Sequence, residues 1–360
     1  MKNLDIIIKK FLGGEMLEEA EFYEKIDENS HTLQCNLCGR HCIIQDRQFG
    51  FCKSRKNVKG EMRLVNYSKI ASYHKDPIEK KPLYHFLPGT NTFSIGGFGC
   101  NFTCLNCQNY MLARNSYEFT NTIKIMPEAI VKTALDSKCR SISWTYNEAS
   151  LYFEFAKETA ELSKAKNLKN IFVTNGYMSE EACEEMVTFI DAFNIDLKSF
   201  SDKFYKEICG GGLDLVLDNL KTVYKTRNDL NNGLGPHLEI TTLLIGDLNT
   251  SKDEIQKLCE FVYYELGKEV PLHFSRFFPQ YKMQDIPATD TRLLEQAKDI
   301  AKDVGLEYVY LGNMPGDNNS YCPNCGELLV ERNGFSAKGR KRIKDGCCLT
   351  CGHELNFVLE

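Results

Sequence analysis

From about residue 90 onward, the chain alternates between short apolar, β-branched runs and longer segments with helical periodicity. The apolar runs predict strands at Phe93–Gly97, Ser141–Tyr146, Asn170–Thr174, Ala192–Leu197, Leu238–Leu244, Pro271–Phe277 and Glu307–Leu311. The intervening segments predict helices at Pro127–Lys138, Leu151–Lys166, Ser179–Ile190, Leu213–Lys225, Ser251–Leu266 and Thr291–Val304. Regular strand–helix alternation indicates an α/β fold with parallel strands and outer helices. Six or seven such units suit a (β/α) barrel, closed or partial.

The two ends of the chain lack this alternation. Residues 1–30 have the pattern of a charged amphipathic helix, and residues 31–60 show little periodicity. Prolines and a glycine in Asp76–Gly89 predict a linker, and Pro315–Ser320 is rich in turn residues. We therefore predict three parts. They are an N-terminal cysteine-rich module and lead-in over 1–88, a partial barrel over 89–315 and a tail over 316–360.

Polar residues follow most of the predicted strands. Besides three cysteines after the first strand, they comprise Thr145–Ala149, Thr174–Tyr177, Asn194–Ser199, His273–Phe277 and Gly312–Asn313. In barrels of parallel strands, catalytic residues collect at the C-terminal ends of the strands. We therefore expect these groups to converge on one site, where they could hold a zwitterion, a ribose or a carboxylate.

The 360-residue chain has sixteen cysteines, a formal charge of −5 and no apolar run long enough to cross a membrane. Its first residues, Met1–Lys10, lack the long apolar core and cleavage site of a secretory signal. This composition indicates metal binding in a reducing cytoplasm instead of disulfides, with no membrane partner. The negative charge argues against a protein that coats nucleic acid, although it leaves room for a local basic groove.

Two groups of four cysteines lie near the ends of the chain. The N-terminal group, Cys35, Cys38, Cys42 and Cys52, has a spacing compatible with either zinc or a second iron–sulfur cluster. The C-terminal group, Cys322, Cys325, Cys348 and Cys351, forms two C-x2-C-G knuckles and predicts a zinc ribbon, with Cys347 as a spare. The basic segment Arg332–Arg342 between the knuckles is typical of a solvated hairpin. Of the isolated cysteines, Cys209 precedes three glycines, and we expect it to pack in the core.

The central cysteines, Cys100, Cys104 and Cys107, have the spacing C-x3-C-x2-C, and no fourth cysteine follows closely. Three thiolates can hold a [4Fe–4S] cluster that keeps one iron open. This motif resembles that of the radical S-adenosylmethionine (SAM) enzymes. The resemblance implies that the open iron binds the amino and carboxylate groups of SAM, and that one electron from the cluster cleaves SAM to a 5′-deoxyadenosyl radical.

Further motifs resemble the pyruvate formate-lyase activating-enzyme branch of that superfamily, and most of all the radical SAM enzyme of the AmmeMemoRadiSam system. They are the N-terminal cysteine group, Asp76–Pro82, Gly99–Phe102 through Cys107–Asn109, Thr145–Glu148, Thr174–Tyr177, Asp196–Lys198, Tyr308–Asn313 and the tail from Tyr321.

The resemblance implies that Thr145, Asn147 and Glu148 lie at the amino group of SAM. It places Asn175 on SAM and Asp196 with Lys198 at the carboxylate or ribose. The chain departs from the family pattern at two places. Asn106 precedes the last cluster cysteine where the family usually has an aromatic residue, and Thr145–Glu148 lacks the glycine-rich form of the second-strand motif.

The expected function is a radical SAM enzyme that abstracts hydrogen from an unidentified substrate, with no substrate-directed residue predicted. The alternatives are a glycyl-radical-enzyme activase and, less favoured, a non-catalytic metal-binding adaptor. The expected partners are an electron donor of the flavodoxin or ferredoxin type and Memo-like and AMMECR-type proteins. The N-terminal cysteine module and the lead-in at Tyr73–Phe86 precede the first barrel strand and are expected to cover the mouth of the site, which favours a non-glycyl substrate.

Overall fold

The N-terminal part is built from short antiparallel strands. The computed structural model describes residues 17–114, 121–229 and 235–360. Its first strands are β1 (Tyr23–Asp27), β2 (Thr32–Cys35), β3 (Ile43–Ile44), β4 (Arg55–Val58), β5 (Glu61–Leu64) and β6 (Lys69–Ile70). A helix is predicted over residues 1–30, and the part up to residue 16 lies outside the described residues. At residues 23–27 the prediction is wrong, because this segment is strand β1 and pairs with β2.

An eight-stranded sheet forms the centre of the molecule. Its strands are β7 (Ser72–Pro77), β8 (Asn91–Gly96), β10 (Ser141–Trp144), β11 (Lys169–Thr174), β12 (Ala192–Asp196), β13 (His237–Leu244), β14 (Leu272–Arg276) and β15 (Val309–Gly312), in the order β15-β14-β13-β12-β11-β10-β8-β7. All neighbours from β8 to β15 are parallel, and only the edge strand β7 runs antiparallel. The short strand β9 (Ile123–Lys124) pairs with β6 outside this sheet.

Helices follow most of the parallel strands. They are α1 (Tyr110–Ala113), α2 (Pro127–Asp136), α3 (Phe153–Lys164), α4 (Glu180–Met186), α5 (Asp202–Phe204), α6 (Asp214–Asp229), α7 (Lys252–Phe261) and α8 (Thr291–Val304). The predicted starts are explained by local capping, since the Ser179 and Ser251 side chains accept hydrogen bonds from the backbone amides of Ala182 and Glu254. The predicted alternation of parallel strands and helices is therefore confirmed.

The central sheet is open but curved. Among the described strands, β15 and β7 form its two edges. Residues that follow β8, at one end of the parallel set, nevertheless line the same cavity as Asn313, which follows β15 at the other end. The sheet therefore curls around a common interior, as expected for a partial barrel.

The lead-in lies inside this curved sheet. Ile78, Leu83 and Phe86 are buried against Ile171 and Ala192, which lie at or near the starts of β11 and β12. The backbone amides of Tyr84 and His85 donate to the buried Glu239 carboxylate, near the start of β13. The apolar residues of this segment therefore fill the end of the barrel opposite the mouth, and do not cover the mouth as expected, while Lys80 lines the cavity.

The tail packs on the lead-in through its own apolar cluster. Its strands are β16 (Ser320–Tyr321), β17 (Leu328–Asn333), β18 (Ser336–Lys338), β19 (Ile343–Lys344) and β20 (Cys347–Cys348). Leu329 and Val330 are buried in a cluster with Tyr84 and Tyr310. No helix in the described ranges combines the length and apolar character needed to cross a membrane.

One residue of the basic segment differs from expectation. Arg332 is buried, its guanidinium lies 4.3 Å from the centre of the Tyr84 ring, and it donates to the Tyr84 carbonyl and the Ser320 hydroxyl. Arg340, Lys341 and Arg342 are exposed, as a solvated hairpin requires. Arg332 therefore anchors the tail to the lead-in.

Candidate active site

A cavity of about 340 Å³ lies at the C-terminal ends of the parallel strands. All three central cysteines line it. So do all six polar residues assigned by resemblance to SAM, namely Thr145, Asn147, Glu148, Asn175, Asp196 and Lys198. Its volume is within the roughly 300–1,000 Å³ typical of small-molecule sites. The structure thus brings together residues separated by almost a hundred positions in the chain.

Asn147 holds the start of the cysteine loop. Its Oδ1 accepts a hydrogen bond of 3.1 Å from the Gly97 amide, and its Nδ2 donates to the carbonyls of Phe98 and Gly99 at 3.2 and 3.0 Å. Since these bonds use both ends of the amide, Asn147 positions the loop that carries Cys100. The oxygen accepts only one of these bonds, so its second lone pair remains available to a donor in the cavity.

Glu148 connects the end of β10 to the end of β11. Its buried carboxylate accepts hydrogen bonds from the Thr174 hydroxyl at 2.5 Å and the Asn175 amide at 2.9 Å. Burial raises the pKa of Glu148 above its usual value, although these donors oppose the shift. The Asn175 side chain in turn donates to Asn101 at 2.7 Å, next to Cys100. This chain of contacts fixes both strand ends against the cysteine loop.

Asp196 and Lys198 form an ion pair of 2.9 Å at the end of β12. Burial alone would lower the pKa of Lys198, but the Asp196 carboxylate raises it well above its usual value. Lys198 therefore carries a positive charge on the wall of the cavity. Such a pair can bind a carboxylate through the ammonium and a hydroxyl or ammonium through the carboxylate.

The glycine turn after Cys209 packs on the cysteine loop. The carbonyl of Cys209 accepts from the Thr103 amide at 2.8 Å, and a Cβ on Gly211 would lie 2.1 Å from the Phe102 ring. The Cys209 side chain is buried, as predicted, and a hydrogen bond between its thiol and that of Cys104 lowers the pKa of Cys104. Only glycine permits so close an approach at position 211.

Three residues that the motifs do not assign to SAM also belong to the site, and one residue expected there, His273, lies elsewhere. Lys80, Gln108 and Ser275 also line the cavity. His273 does not, because it is the second residue of β14 and its Nε2 lies 2.6 Å from Glu239, among the strand starts. His273 and Ser275 face the same side of β14, but Ser275 lies two residues nearer the C-terminal end of the strand, where the cavity is.

The lead-in motif Asp76–Pro82 contacts the end of β10, beside the site. The Asp76 carboxylate accepts hydrogen bonds from Lys80 at 3.0 Å, Lys81 at 2.7 Å and the Tyr146 hydroxyl at 2.9 Å. Tyr146 has a positive φ of 73° between the two polar residues Thr145 and Asn147. The Asp76 contact therefore restrains the end of β10 in a backbone conformation that a tyrosine seldom adopts.

The two outer cysteine groups differ in geometry. In the tail, the sulfurs of Cys322 and Cys351 are 3.6 Å apart and those of Cys325 and Cys348 are 3.8 Å apart. All four lie within 4.8 Å of one another, and Cys347 is not among them. The N-terminal cysteines, Cys35, Cys38, Cys42 and Cys52, line a separate cavity beneath the cysteine loop.

Comparison with known proteins identifies the family. Residues 94–262 match the model of the radical SAM superfamily. The chain is also 41% identical over 346 residues to an uncharacterized protein of Methanocaldococcus jannaschii, MJ0808, covering 95% of this chain and 100% of that protein. The chain belongs to the radical SAM superfamily. This membership implies an enzyme of radical chemistry that uses SAM and an iron–sulfur cluster.

Solved structures with partial similarity to this chain include an activating-enzyme domain and a methyltransferase. A domain of pyruvate-formate lyase-activating enzyme from Bacteroides vulgatus is 20% identical, and the match covers 45% of this chain and 92% of that one, with a TM-score of 0.38. A radical SAM methyltransferase from Sphaerobacter thermophilus is 12% identical, and the match covers 86% and 81% of the two chains, with a TM-score of 0.48.

The residues present fit the cofactors of this superfamily. Three thiols of one loop face a cavity with room for a small molecule, and an ion pair and a carboxylate lie on its walls. The Oδ1 atom of Asn106 is buried there without a hydrogen-bond partner among the described residues. A polar ligand in the cavity would supply the missing donor.

Proposed function

We propose that this radical SAM enzyme binds a [4Fe–4S] cluster through Cys100, Cys104 and Cys107 and abstracts hydrogen from an unidentified substrate. The observation that carries the proposal is the shared cavity. The three thiols of the loop and the six polar strand-end residues line one space at the catalytic end of the barrel.

The protein contributes position and charge to this reaction. When bound, the cluster supplies one electron that cleaves SAM and yields a 5′-deoxyadenosyl radical. Lys198 holds a positive charge for the carboxylate of SAM, and Asp196 beside it can accept from a ribose hydroxyl. Glu148 and Asn175 also line the cavity, and a carboxylate and an amide oxygen suit an ammonium group.

SAM cleavage under anaerobic conditions tests this proposal. We expect the reconstituted protein with a strong reductant to produce 5′-deoxyadenosine and methionine. Cys107→Ala should abolish the product because it removes one of three ligands to the cluster. The matched control is Cys139→Ala, since Cys139 is buried outside the cavity. Unchanged 5′-deoxyadenosine from Cys107→Ala would contradict the assignment.

We further place the protein in the AmmeMemoRadiSam branch, on the strength of the motifs that surround this cavity. The proposed partners are Memo-like and AMMECR-type proteins and an electron donor of the flavodoxin or ferredoxin type. A reducing cytoplasm suits the sixteen cysteines, all of which are free thiols in the structure. Co-purification of the chain with each partner class is the direct test.

A glycyl-radical activase is the second candidate. One observation favours it over the first expectation: the lead-in packs at the strand starts, and does not close the mouth. A loop of another protein could therefore reach the cavity from the strand ends. Deuterated cell extract, separated into protein and small-molecule pools, distinguishes the two. Deuterium in 5′-deoxyadenosine with the protein pool alone supports the activase, and transfer from the small-molecule pool alone excludes it.

We propose zinc for the tail. A tetrahedral zinc–thiolate site has Zn–S bonds of about 2.3 Å and hence sulfurs about 3.8 Å apart. The separations of 3.6 and 3.8 Å in the tail match this value. The zinc content of Cys325→Ser, measured by mass spectrometry beside Cys347→Ser as control, tests the site. Only Cys325→Ser should lose zinc.

A further inference from the structure

The four N-terminal cysteines converge although they come from different short elements. Cys35 ends β2, Cys38 and Cys42 follow in the next loop, and Cys52 precedes β4. All four line one cavity, walled by the buried Leu37 and Leu151. His41, the neighbouring alternative ligand, is exposed and contacts Asn36 at 3.2 Å. The ligand set of this cavity is therefore four thiols.

The sulfurs of this group are spaced more widely than those of the tail group. Within the described ranges, no three ligand atoms of the N-terminal group lie within 4.8 Å of one another, whereas all four sulfurs of the tail group do. A single zinc ion would draw its thiolates to about 3.8 Å. In a cubane cluster each iron takes one thiolate at a separate corner, so the cluster itself keeps the thiolates apart. The wider spacing favours a cluster.

A buried arginine in the wall supplies a second, independent observation. The Arg55 side chain is fully buried and lines the cavity. Its Nη2 atom pairs with Glu154 at 2.5 Å and its Nη1 donates to the Glu21 carbonyl, but its buried Nε has no partner among the described residues. A buried N–H group without an acceptor is costly, and cluster or thiolate sulfur at this place would accept from it.

Four cysteine ligands also define what the cluster can do. A [4Fe–4S] cluster with four thiolates has no open iron, in contrast to the three-cysteine set of the active site. Three of the four ligands, Cys35, Cys38 and Cys52, are buried, and Cys42 is half-buried. Electron transfer is the function that a closed, buried cluster retains.

The two sites share a wall. Asn101 lines the N-terminal cavity, and its neighbour Cys100 lines the active-site cavity. Arg40 donates to the Asn101 carbonyl at 2.8 Å. A Cβ on Gly99, whose φ is +85°, would lie 2.1 Å from the Cys52 carbonyl, so only glycine permits this contact. A single layer of backbone thus separates the two groups of thiols.

We propose that Cys35, Cys38, Cys42 and Cys52 bind a second [4Fe–4S] cluster that relays electrons to the active-site cluster. A low-potential one-electron donor, such as a flavodoxin or ferredoxin, reduces the buried cluster from the 2+ to the 1+ state. That electron then passes across Gly99–Asn101 to the active-site cluster, and the relay returns to the 2+ state. The relay rests on the proposed function, but binding of the cluster does not.

The metal content of the full chain tests the cluster separately from SAM cleavage. A variant with Cys100, Cys104 and Cys107 all replaced by alanine removes the active-site cluster. After anaerobic reconstitution, we expect it to retain about four iron atoms and four sulfides per chain, together with the zinc of the tail. Two zinc ions and no stoichiometric iron would overturn the proposal. Either result stands whether or not the wild-type protein cleaves SAM.

Donor dependence tests the relay. Cys38→Ser and the control Cys259→Ser, a buried cysteine in α7, are compared at equal occupancy of the active-site cluster. With flavodoxin as donor, we expect Cys38→Ser to slow SAM cleavage at least tenfold, while a small chemical reductant supports near-normal cleavage. Equal rates with flavodoxin for both variants would overturn the relay. So would equal losses with both reductants, which would indicate a structural role.

Arg55 provides a readout that involves no SAM. In the triple-alanine background, Arg55→Met with Glu154→Gln removes the buried pair together. Loss of the positive charge and its N–H donor should shift the reduction potential of the remaining cluster to more negative values. The control is Arg63→Met on the neighbouring strand β5, which does not line the cavity. An unchanged potential in the double variant would contradict the placement of a cluster against Arg55.

Discussion

The chain carries a group of four cysteines near each end, and the two groups are built differently. In the tail, Cys325 and Cys351 are exposed and the sulfurs are packed together. In the N-terminal group, three of the four cysteines are buried, the sulfurs are farther apart, and a buried arginine lies against them. The spacing of cysteines along the chain indicates how many ligands a metal site has. The distances between their sulfurs in the folded protein then favour either a single metal ion or a cluster.

The comparison also predicts how the two regions respond to metal loss. A short segment such as 320–352 buries little apolar surface, so its fold depends on its metal. The N-terminal strands pack into the main core through Leu33, Ile44 and Met62. We therefore expect loss of metal to unfold the tail and to leave the N-terminal backbone largely in place.

The largest effect is expected from Cys325→Ser. Structural zinc contributes about 10–16 kcal/mol in small zinc modules, so loss of one ligand should unfold the tail. Limited proteolysis with mass spectrometry should show new cuts between residues 320 and 352, with the barrel intact. Cys347→Ser is the matched control because Cys347 lies outside the compact group. A tail that stays protected in Cys325→Ser would show that the two groups do not differ in this way.

Glu154→Gln should have the next largest effect, in the N-terminal region. Glu154 is the partner of the fully buried Arg55. Removing one member of a buried ion pair typically costs about 3–5 kcal/mol because it leaves the other charge uncompensated. Denaturant unfolding should show this loss, and hydrogen exchange should place it at residues 17–64. Glu161→Gln, an exposed change on the same helix α3, is the control. Equal unfolding midpoints for the two variants would contradict the prediction.

Arg332→Ala should loosen the tail from the lead-in. The guanidinium donates to the Tyr84 carbonyl, the Asn318 carbonyl and the Ser320 hydroxyl. A hydrogen bond of a charged group contributes about 1.5–3 kcal/mol. Only the bond to Tyr84 joins the tail to the lead-in, so we expect this contact to weaken by about 2 kcal/mol. Hydrogen exchange in β16 and β17 measures it, and the exposed Arg340→Ala is the control. Faster exchange in the N-terminal strands instead would contradict a local anchor.

The smallest expected effect is a pH dependence of the contact between lead-in and tail. Burial lowers the pKa of His85 well below its usual value, so His85 is neutral in the fold. Its Nδ1–H donates to the Asn356 carbonyl and its Nε2 accepts from the Tyr310 hydroxyl, both at 2.7 Å. The unfolded state takes up a proton below about pH 6.5, and stability therefore falls as the pH drops, by about 1.4 kcal/mol at pH 5.5.

Unfolding of the wild type and of His85→Phe between pH 7.5 and 5.5 measures this contribution. His85→Phe should be less stable at neutral pH but should have a shallower slope. The other titratable residues near His85, namely Glu239, His237 and Arg332, are unchanged in both proteins. Identical slopes would show that His85 does not titrate as its burial requires.

Much of the fold could be predicted because strand and helix periodicity is a local property. All seven predicted strands and six predicted helices are present, with small shifts at their ends. The convergence of Glu148, Asn175 and Asp196 could also be predicted, because the C-terminal ends of parallel strands meet at one edge. In contrast, His273 lies near the start of its strand, and the sequence alone did not show at which end of Pro271–Phe277 the polar residues lie.

The remaining differences depend on contacts between distant parts of the chain. The lead-in was expected at the mouth, but the hydrogen bonds from Tyr84 and His85 to Glu239 hold it at the other end, across more than 150 residues. Asn147 is predicted to contact the cofactor, and the structure adds a second role, because its amide also holds the cysteine loop. Neither contact produces a local pattern in the sequence.

The Glu154 carboxylate has a consequence for protein engineering and for the history of this chain. It accepts from Arg55 and also from the Glu21 amide at 2.8 Å, so one side chain at the start of α3 fastens two points of the N-terminal region. A chimera that joins these N-terminal strands to another barrel would bury a guanidinium with no counter-charge. We expect such grafts to fail unless the recipient helix also receives a glutamate. We also expect that, where these two regions were exchanged between proteins, they were exchanged together.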